Sequence, residues 1–297
     1  MQLPSKRVKW PNLTDVPLTM TIWEADCYRR PLRDDAQNPL WELLICDREF
    51  HFTYGATAPQ KAVNSQWIQQ QFTAALQKAP QPPTEIRVFR PQSVSLLQAG
   101  AQPLDLMVQP TRFTPTLKQW LVQRSQWYQS QPTYSGEPYE PVALERPAPV
   151  PIPESLWGEQ WQFASLSAQD FQESLVHEPI PFQAIPVEWL PLTLGLPSTA
   201  AIPGVVIDAG RRALPLCQWL QEQQPVALNY QAGPPNGVLL ESGLVDRWVL
   251  TTFEDEQVTV AGQTFRDRQQ QTKGLHFLLV RPDDSGMTFT GLWLLRS

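Results

Sequence analysis

The sequence predicts an α/β protein with two domains, and three observations lead to this prediction. The chain has 297 residues, more than one domain usually contains. Short runs of alternating apolar residues, typical of strands, are interleaved with stretches that have helical spacing. A proline-rich region lies between two such parts. The composition, 42% apolar and 18% charged, is that of a folded globular chain.

The composition places the domain boundaries at the edges of the proline-rich region. We expect an N-terminal domain at 1–134, a Pro-rich linker and packing segment at 135–203, and a smaller C-terminal α/β domain at 204–297. Segments such as ERPAPVPIPESL favour a polyproline II conformation, which makes the early part of the linker stiff. Its aromatic residues exceed what a linker needs, so we expect them to pack on a domain; they include Trp157, Trp161, Phe163 and Phe171.

The N-terminal domain begins with three strands in close succession. They are predicted at residues 18–31, 40–47 and 50–56. Turn-forming clusters of Asp, Asn and Pro separate the first two and indicate a meander. A helix with one apolar stripe follows at 65–79, where Asn64 or Ser65 is the N-cap and prolines mark the end.

Two further strand–helix pairs complete this domain. They comprise a strand at 85–90, a helix at 91–102, a strand at 104–109 and a helix at 115–130 capped by Thr114. The order β-β-β-α-β-α-β-α is that of the ribonuclease-H-like fold, a mixed sheet with helices on both faces. Right-handed crossovers exclude most other arrangements. A Rossmann-type fold is incompatible because no helices separate the first three strands.

The C-terminal domain is predicted to alternate strands with two helices. Strands are expected at 202–210, 226–230, 237–242 and 247–253, and a final antiparallel pair at 275–284 and 287–296. The first helix is expected at 212–222. The second helix is expected to begin at Thr251 or Thr252 as N-cap and to stop at Gly274.

Charge is distributed unequally along the chain. Residues 1–150 contain 15 Lys and Arg against 13 Asp and Glu, whereas residues 151–297 contain 8 against 16. Because binding to a polyanion depends on clustered cations, a nucleic-acid partner should meet the N-terminal half.

The sequence also bears on compartment and cofactors. Cys27, Cys46 and Cys217 are scattered, which argues against a disulfide scaffold or a zinc site and indicates a reducing compartment. No stretch approaches 18 consecutive apolar residues, so no membrane insertion is expected. The N-terminus lacks the features of a transit peptide, and we expect a cytoplasmic location. We predict no cofactor and no metal.

A nuclease of the predicted fold would need acidic residues at particular positions. Nucleases of the ribonuclease-H-like fold hold two divalent ions with acids on the first strand, the first helix and the end of the fourth strand. The first strand offers Glu24 and Asp26, but the helix at 65–79 has no acid and the fourth strand ends in Arg90. We therefore predict no catalytic residues. A divergent metal-dependent nuclease using Glu24, Asp26 and Asp47 is the alternative.

Interleaved aromatic and cationic residues predict an RNA-binding surface. Proteins bind single-stranded RNA by stacking bases on aromatic rings and neutralising phosphates with Arg or Lys. The candidates are Arg29, Arg30, Arg87, Phe89, Arg90, Arg112, Phe113, Lys118 and Arg124. Trp120 and Trp127 are seven residues apart on one helix, and we interpret Trp120 as part of its buried stripe.

The order of several segments resembles a known family. They are IWEADCYRRPLRD, PTEIRVFRPQ, PTRFTPTLKQWLVQRSQWYQSQPTY, IPESLWGEQWQFASL and GLHFLLVRPDDSGMTFTGLWLLR. Over nearly its whole length the chain resembles the Tab-two (Atab-two-type) family of cyanobacterial and chloroplast proteins. That family tends to have a Trp-Glu-Leu-Asp-like opening, where this chain has Ala25 in place of Leu.

The resemblance implies an RNA-binding protein rather than an enzyme. Members of the family look like activators of translation of photosystem I core messages, acting on the 5′ leader, with a wider part in photosystem biogenesis. The chain looks like the cyanobacterial form. The implied partners are RNA and, beyond it, translation or assembly proteins. An assembly scaffold, in which the Pro-rich linker and the acidic C-terminal domain bind proteins, is a further alternative.

Overall fold

The computed structural model describes residues 21–297, which divide into two compact units, unit 1 (residues 21–143) and unit 2 (Leu144–Ser297). Residues 18–20 of the predicted first strand lie outside the described residues. The elements of unit 1 are β1 (Ile22–Arg33), β2 (Pro39–Asp47), β3 (Thr53–Pro59), α1 (Ser65–Lys78), β4 (Glu85–Val88), α2 (Pro91–Ala101), β5 (Val108–Pro110) and α3 (Pro115–Gln129).

Unit 1 is built on a mixed five-stranded sheet in the order β3-β2-β1-β4-β5. The pairs β1–β2 and β2–β3 are antiparallel, whereas β1–β4 and β4–β5 are parallel. This arrangement confirms the predicted α/β class and the ribonuclease-H-like order of elements.

The helices of unit 1 cover opposite faces of the sheet. Ile68 and Phe72 of α1 and Leu97 of α2 pack in one core with Trp23 of β1. Because neighbouring strand residues point to opposite faces, Glu24 lies on the other side, where it meets α3. The contact between α1 and α2 needs Gly100, since a Cβ there would lie 2.4 Å from a methyl group of Ile68.

Two strand boundaries in unit 1 differ from prediction for backbone reasons. The third strand begins at Thr53 rather than at residue 50, because Phe50 has a positive φ of 59° and lies in the β2–β3 turn. The fifth strand has three residues because Asp105 has a φ of 52° at the end of the preceding short helical turn. Left-handed backbone conformations interrupt a strand.

Unit 2 contains two sheets. Its elements are β6 (Val150–Pro151), β7 (Gln160–Ser167), α4 (Ala168–Glu173), β8 (Phe182–Ala184), β9 (Ala201–Asp208), α5 (Ala213–Gln223), β10 (Pro225–Gln231), β11 (Asn236–Ser242), β12 (Asp246–Phe253), α6 (Glu256–Gln271), β13 (Leu275–Arg281) and β14 (Gly291–Arg296). One sheet has the order β10-β11-β12-β6 and the other β7-β9-β13-β14-β8.

The structure differs from the expected linker at 135–203. Strands β6, β7 and β8 from this segment pair with β12, β9 and β14, so most of the segment belongs to unit 2. All three are edge strands, where prolines next to a strand are tolerated, and the prolines conceal the strand pattern in the sequence. As expected for the aromatic residues, Phe171 is buried and Trp161 and Phe163 pack against the core, whereas Trp157 is half exposed.

Helix α6 begins later than predicted. Its N-cap is Asp255, whose Oδ1 accepts hydrogen bonds from the N–H groups of Gln257 and Val258. Thr251 and Thr252 instead belong to β12. The side chain of Asp accepts hydrogen bonds from the N–H groups of a first helical turn as well as that of Thr does, so residue type alone did not distinguish Asp255 from Thr251 or Thr252 as the N-cap. Within residues 21–297 no helix is long and apolar enough to cross a lipid bilayer.

A buried histidine joins α6, β10 and β13 in unit 2. His276 is fully buried, and its Nε2 accepts a hydrogen bond of 2.8 Å from the Leu228 N–H. Nδ1 therefore carries the proton and lies 2.8 Å from the Gly274 carbonyl oxygen. Burial lowers the pKa of His276 to about 4, although the Gly274 carbonyl opposes the shift.

We predict that His276 makes the stability of unit 2 depend on pH. Its pKa is lower in the folded than in the unfolded chain, so its contribution is complete above pH 6.5 and declines as the pH falls towards 4. The loss is on the order of 3 kcal/mol in the free energy of unfolding. In urea titrations, the difference between the native chain and His276→Met should be larger at pH 7 than at pH 4.5. A difference independent of pH would contradict this assignment.

Candidate functional site

Five charged side chains form a network on the α3 side of the unit 1 sheet. The members are Asp26, Arg30, Glu42, Arg90 and Arg124. All except Arg124 are almost completely buried. A buried charge is tolerated only when it is paired and hydrogen-bonded, so the positions of these residues depend on one another.

Asp26 of β1 is the centre of the network. Arg90 Nε donates to its Oδ1 and Arg30 Nη2 to its Oδ2, each at 3.0 Å. The hydroxyl of Ser93, in the first turn of α2, adds a hydrogen bond of 3.2 Å to Oδ1. Both carboxylate oxygens of Asp26 therefore accept hydrogen bonds, Oδ2 from Arg30 of the same strand and Oδ1 from Arg90 and Ser93 at the start of α2.

Arg90 also fixes the segment that follows α3. Its Nη2 and Nη1 donate to the carbonyl oxygens of Pro141, at 2.8 Å, and Ala143, at 3.2 Å. Arg30 Nη1 donates to the Tyr139 hydroxyl at 3.0 Å. The two arginines thus hold the chain at 139–143 against the sheet.

Glu42 of β2 connects the network to α3. Arg124 Nε lies 3.0 Å from both Glu42 oxygens, and the Tyr128 hydroxyl donates to Glu42 Oε2. Arg30 Nε lies 3.4 Å from the same Oε2. Burial raises the pKa of Tyr128, and Glu42 raises it further against the opposing charge of Arg30. Tyr128 therefore keeps its proton and remains a donor.

Glu24 of β1 stabilises the start of α3, which is far from it in the sequence. Its Oε2 accepts a hydrogen bond of 2.7 Å from the Leu117 N–H, one of the first-turn groups that have no partner within the helix. Burial raises the pKa of Glu24, and the Leu117 N–H with Arg48, Arg87 and Lys118 opposes the shift. The carboxyl group is therefore a structural contact of α3.

The carboxylates of the alternative nuclease are engaged in structural hydrogen bonds. Asp26 is held by two arginines, Glu24 contacts α3, and Asp47 Oδ1 accepts from the Phe52 N–H at 3.1 Å in the β2–β3 turn. Within residues 21–297 no group of three or more His, Cys, Asp or Glu side chains is arranged to hold a metal ion. The chemistry of this donor set does not suit a two-metal centre.

An aromatic surface adjoins this network and shares Arg124 with it, and we name it the α3 face. It consists of Phe50, Trp120, Arg124 and Trp127. The rings of Phe50 and Trp120 meet edge to face with centroids 5.5 Å apart. The Arg124 guanidinium lies 5.9 Å from the Trp120 ring centroid and 4.4 Å from that of Trp127. These contacts form a continuous row of planar groups, and Phe50 and Trp127 are 44% and 45% exposed.

The helical geometry of α3 separates this row from the buried stripe. Successive residues are about 100° apart around a helix, so Leu117, Leu121 and Tyr128 share one narrow face, and they are the buried residues of α3. Trp120 and Trp127 lie beside that face rather than on it. The interpretation of Trp120 as part of the buried stripe was therefore wrong.

Phe50 is presented to Trp120 by an unusual backbone. Its φ of 59° is in the left-handed region, which costs a bulky residue roughly 1–2 kcal/mol. Asp47 holds the turn through its carbonyl oxygen, 3.3 Å from the Phe50 N–H, and through its carboxylate bond to Phe52. Strained residues of this kind concentrate at functional sites.

Cationic residues lie beside the start of α3. Arg48, in the same turn as Phe50, has its guanidinium 5.7 Å from the Phe113 ring centroid, and its carbonyl accepts from the Thr116 hydroxyl at 2.7 Å. Lys118 donates through Nζ to the Arg112 carbonyl. Arg112, Phe113 and Lys118 are all partly exposed. The structure thus brings these three predicted residues together with Arg48.

Three predicted RNA-binding residues are buried and cannot contact RNA in this fold. Arg30 is 2% exposed, Phe89 0% and Arg90 3%. The predictions for these positions are corrected: Arg30 and Arg90 bind Asp26, and Phe89 lies beneath Arg90 and Lys118. Residue type alone indicated cations, but the buried Asp26 and Glu42 explain why these arginines point inwards.

The other predicted residues have different surroundings. Arg87 Nε donates to Glu85 at 2.7 Å and its side chain is only 17% exposed. Arg29 is exposed and lies 3.5 Å from Glu137. Arg124 is paired with Glu42, and its guanidinium also lies over the Trp127 ring.

Sequence reasoning missed Phe50, Arg48 and the exposure of Trp127. The positions of the residues around the helix axis could have predicted the exposure of Trp127. If Leu117, Leu121 and Tyr128 form the buried face of α3, Trp127 lies beside that face. The position of Phe50 depends on its left-handed φ, which no pattern in the sequence indicated.

Comparison with protein families matches almost the whole chain. Residues 22–124 match the family described as RNA-binding protein Tab2/Atab2 N terminal, and residues 139–296 match its C-terminal domain. The protein TAB2 homolog, chloroplastic, of Zea mays is 26% identical over 285 residues, covering 94% of this chain and 72% of that protein. The Arabidopsis thaliana protein of the same name is 27% identical, with coverage of 92% and 74%.

Solved structures overlap the chain only in part. The catalytic domain of Mos1 mariner transposase is 15% identical with a TM-score of 0.27, covering 41% of this chain and 64% of its own. The catalytic core domain of HTLV-2 integrase in complex with magnesium (trimeric form) is 12% identical with a TM-score of 0.26, covering 39% and 78%. These overlaps are too partial to bear on function.

We predict that Asp26→Ala destabilises unit 1 strongly. The change leaves Arg30 and Arg90 buried without their shared carboxylate, and breaking such a pair costs about 3–5 kcal/mol. Chemical denaturation monitored by circular dichroism measures the effect. The exposed Asp35 gives the matched control, and Asp35→Ala should change stability by less than about 0.5 kcal/mol. Equal effects of the two substitutions would refute the central role of Asp26.

Proposed function

Because the chain belongs to the RNA-binding protein Tab2/Atab2 family, we propose that it binds single-stranded RNA on the α3 face and does not cleave it. The observation that carries this proposal is the row of Phe50, Trp120, Arg124 and Trp127, in which Phe50 and Trp127 are exposed and the other two are partly exposed. Exposed aromatic rings are unfavourable in water, and a row of them is the arrangement on which unpaired bases stack.

The α3 face offers RNA bases a surface on which to stack, and it carries little net charge. Arg124 is neutralised by Glu42, so it offers a flat guanidinium between two indoles and little net charge. Such a surface accepts any base, because every base has a π face. Paired bases are already stacked within a helix, so a single strand should bind better than a duplex.

We propose that cations beside the start of α3 contact the phosphates of the same RNA strand. Arg48, Arg112 and Lys118 lie in the β2–β3 turn and around the N-terminus of α3. Phe113, next to Arg48, adds a further aromatic ring. We propose these four residues, with the α3 face, as the RNA contacts. We assign no RNA contact to the buried Arg30, Phe89 and Arg90.

A role in translation is the finer part of the proposal. We propose that the RNA is the 5′ leader of a photosystem message, such as one for a photosystem I core subunit, and that binding supports translation and photosystem biogenesis. The support is the family and the names of its two plant relatives. We further propose translation or assembly proteins as partners, a cyanobacterial source and a cytoplasmic site of action; the plant relatives carry the word chloroplastic in their names.

Trp127→Ala should weaken RNA binding by roughly 5- to 150-fold, because loss of one stacked base costs about 1–3 kcal/mol. Trp127→Phe, which keeps a π face, should recover most of the loss. Trp157 of unit 2 is 48% exposed and gives the matched control, since Trp157→Ala should leave the affinity unchanged. Fluorescence anisotropy of a labelled oligouridine covering roughly 4–16 nucleotides measures each affinity.

Two outcomes of this titration would overturn the proposal. Equal losses for the Trp127 and Trp157 variants would remove the α3 face from the interface. Magnesium-dependent shortening of the oligonucleotide would favour the alternative nuclease.

Loss of Arg112 or Lys118 should also reduce the slope of log affinity against log salt by about 0.7 per phosphate contact.

The message target is tested by competition. A leader from a photosystem I core message should displace the bound oligonucleotide at a concentration at least tenfold lower than a shuffled leader of equal length and composition. The shuffled control keeps phosphate number and base content, so only sequence or secondary structure can produce a difference. Equal competition would contradict a specific message target while leaving RNA binding itself intact.

A further inference from the structure

Unit 2 contains a cavity that belongs neither to the ion-pair network nor to the α3 face. Its volume is about 370 Å³, and its lining comes from the start of β7, the middle of β9, α5 and the end of β12. The floor is apolar and buried, formed by Ile152, Val205, Ile207 and Leu216. Trp157, Gln160 and Thr252 form part of an exposed rim. No charged side chain lines the cavity, so its occupant must present an uncharged, largely apolar group.

The indole side chains of the cavity are held in place. Trp157 Nε1 donates to the Ile152 carbonyl at 3.1 Å, and the Trp157 carbonyl accepts from Arg212 at 2.9 Å. Trp161 packs against Phe163 and Phe253, with ring centroids 5.4 and 5.3 Å away. A wall that is already ordered loses little conformational freedom when a ligand binds.

The segments that carry the rim are acidic. Glu154 precedes Trp157 by three residues, Glu159 lies between Gly158 and Gln160, and Glu254 follows β12 directly; all three are exposed. Arg212 is the cation bound beside Trp157. Unit 2 as a whole contains 9 Lys and Arg against 17 Asp and Glu. This charge repels a polyanion and attracts a cationic partner.

A strand edge runs along the cavity. β6 pairs with β12 at Trp248 and Val249, and within residues 21–297 no strand pairs with that edge of β12 beyond these positions. Thr251 and Thr252, which line the cavity, follow on the same strand. An extended peptide can add its main chain to such an edge while one side chain enters a neighbouring pocket.

We propose that this cavity receives a tryptophan or similarly bulky apolar side chain from a basic, extended segment of a partner protein. The volume suits one large side chain, the apolar floor suits its ring, and the acidic residues in the segments that carry the rim suit flanking Lys or Arg. The site gives the protein a second partner that is chemically unlike RNA, and it does not depend on the α3 face.

The test uses a fluorescein-labelled peptide, acetyl-Lys-Val-Trp-Val-Lys-amide, titrated with the full chain. Replacing the central Trp of the peptide by Ala should weaken binding at least tenfold, and replacing both Lys by Glu should do the same. In the protein, Thr251→Trp should fill the cavity mouth and weaken binding at least tenfold. Thr264→Trp, which adds the same side chain to an exposed position of α6, should have no effect.

Two further variants serve as a substitute for Thr251→Trp and as a control for the RNA proposal. Trp157→Ala, at a half-exposed position, replaces Thr251→Trp if circular dichroism shows that the latter is unfolded, and it too should weaken peptide binding. Trp127→Ala should leave peptide binding unchanged, so failure of the RNA proposal and failure of this one are separable. Equal binding of the three peptides would overturn the inference. Displacement of the peptide by excess oligouridine would assign the cavity to RNA and overturn it as well.

Discussion

The ion pairs that Asp26 makes with Arg30 and Arg90 are the interaction on which unit 1 depends. Moving a charged group out of water costs several kcal/mol, and only complete pairing offsets that cost. Asp26 meets this condition by accepting hydrogen bonds from three places: β1 itself, the N-cap residue of α2 and the first turn of α2. Each element must therefore take its position for the others to be stable. A buried carboxylate thus fixes the arrangement of elements more strictly than apolar packing alone would.

The same network orients the surface where we place RNA. From Asp26 it runs through Arg30 to Glu42 and from there to Arg124, whose guanidinium lies flat near Trp127. Arg124 is held by two oxygens of a buried acid, so its plane is fixed before any ligand arrives. This prior order reduces the entropy lost on binding. In the proposed RNA interface, Arg124 is neutralised by Glu42 and contributes through its shape rather than its charge.

The two units offer different chemistry to their partners. Unit 1 presents aromatic rings next to cations, which suits a polyanion with unpaired bases. Unit 2 presents an apolar cavity with acidic neighbours, which suits a cationic segment with a bulky side chain. In the two proposals, RNA binds to unit 1 and a protein segment to unit 2, so the partners do not compete for one surface.

Much of the fold followed from the sequence, and the reason is physical. The change from alternating to helical spacing, together with Asn64, Thr114, Gly274 and the prolines, is a local property, so it determined the order and type of the elements in both units. The strand β7 was missed because the region from 135 to 203 was interpreted as a linker from its overall proline content, and only the pairing of β7 with β9 identifies the strand. The asymmetry of charge between the two halves was likewise readable directly from the residues.

Which cations face solvent was decided by tertiary structure alone. Arg30, Arg90 and Arg124 are identical side chains in the sequence, and they differ only in their distance from Asp26 and Glu42, which are far from Arg90 and Arg124 along the chain. Burial of a charge depends on such partners in space and leaves no trace in local spacing. The sequence therefore determined the α/β elements and the family, whereas the pairing of buried acids with arginines decided which of the arginines are buried and which are exposed.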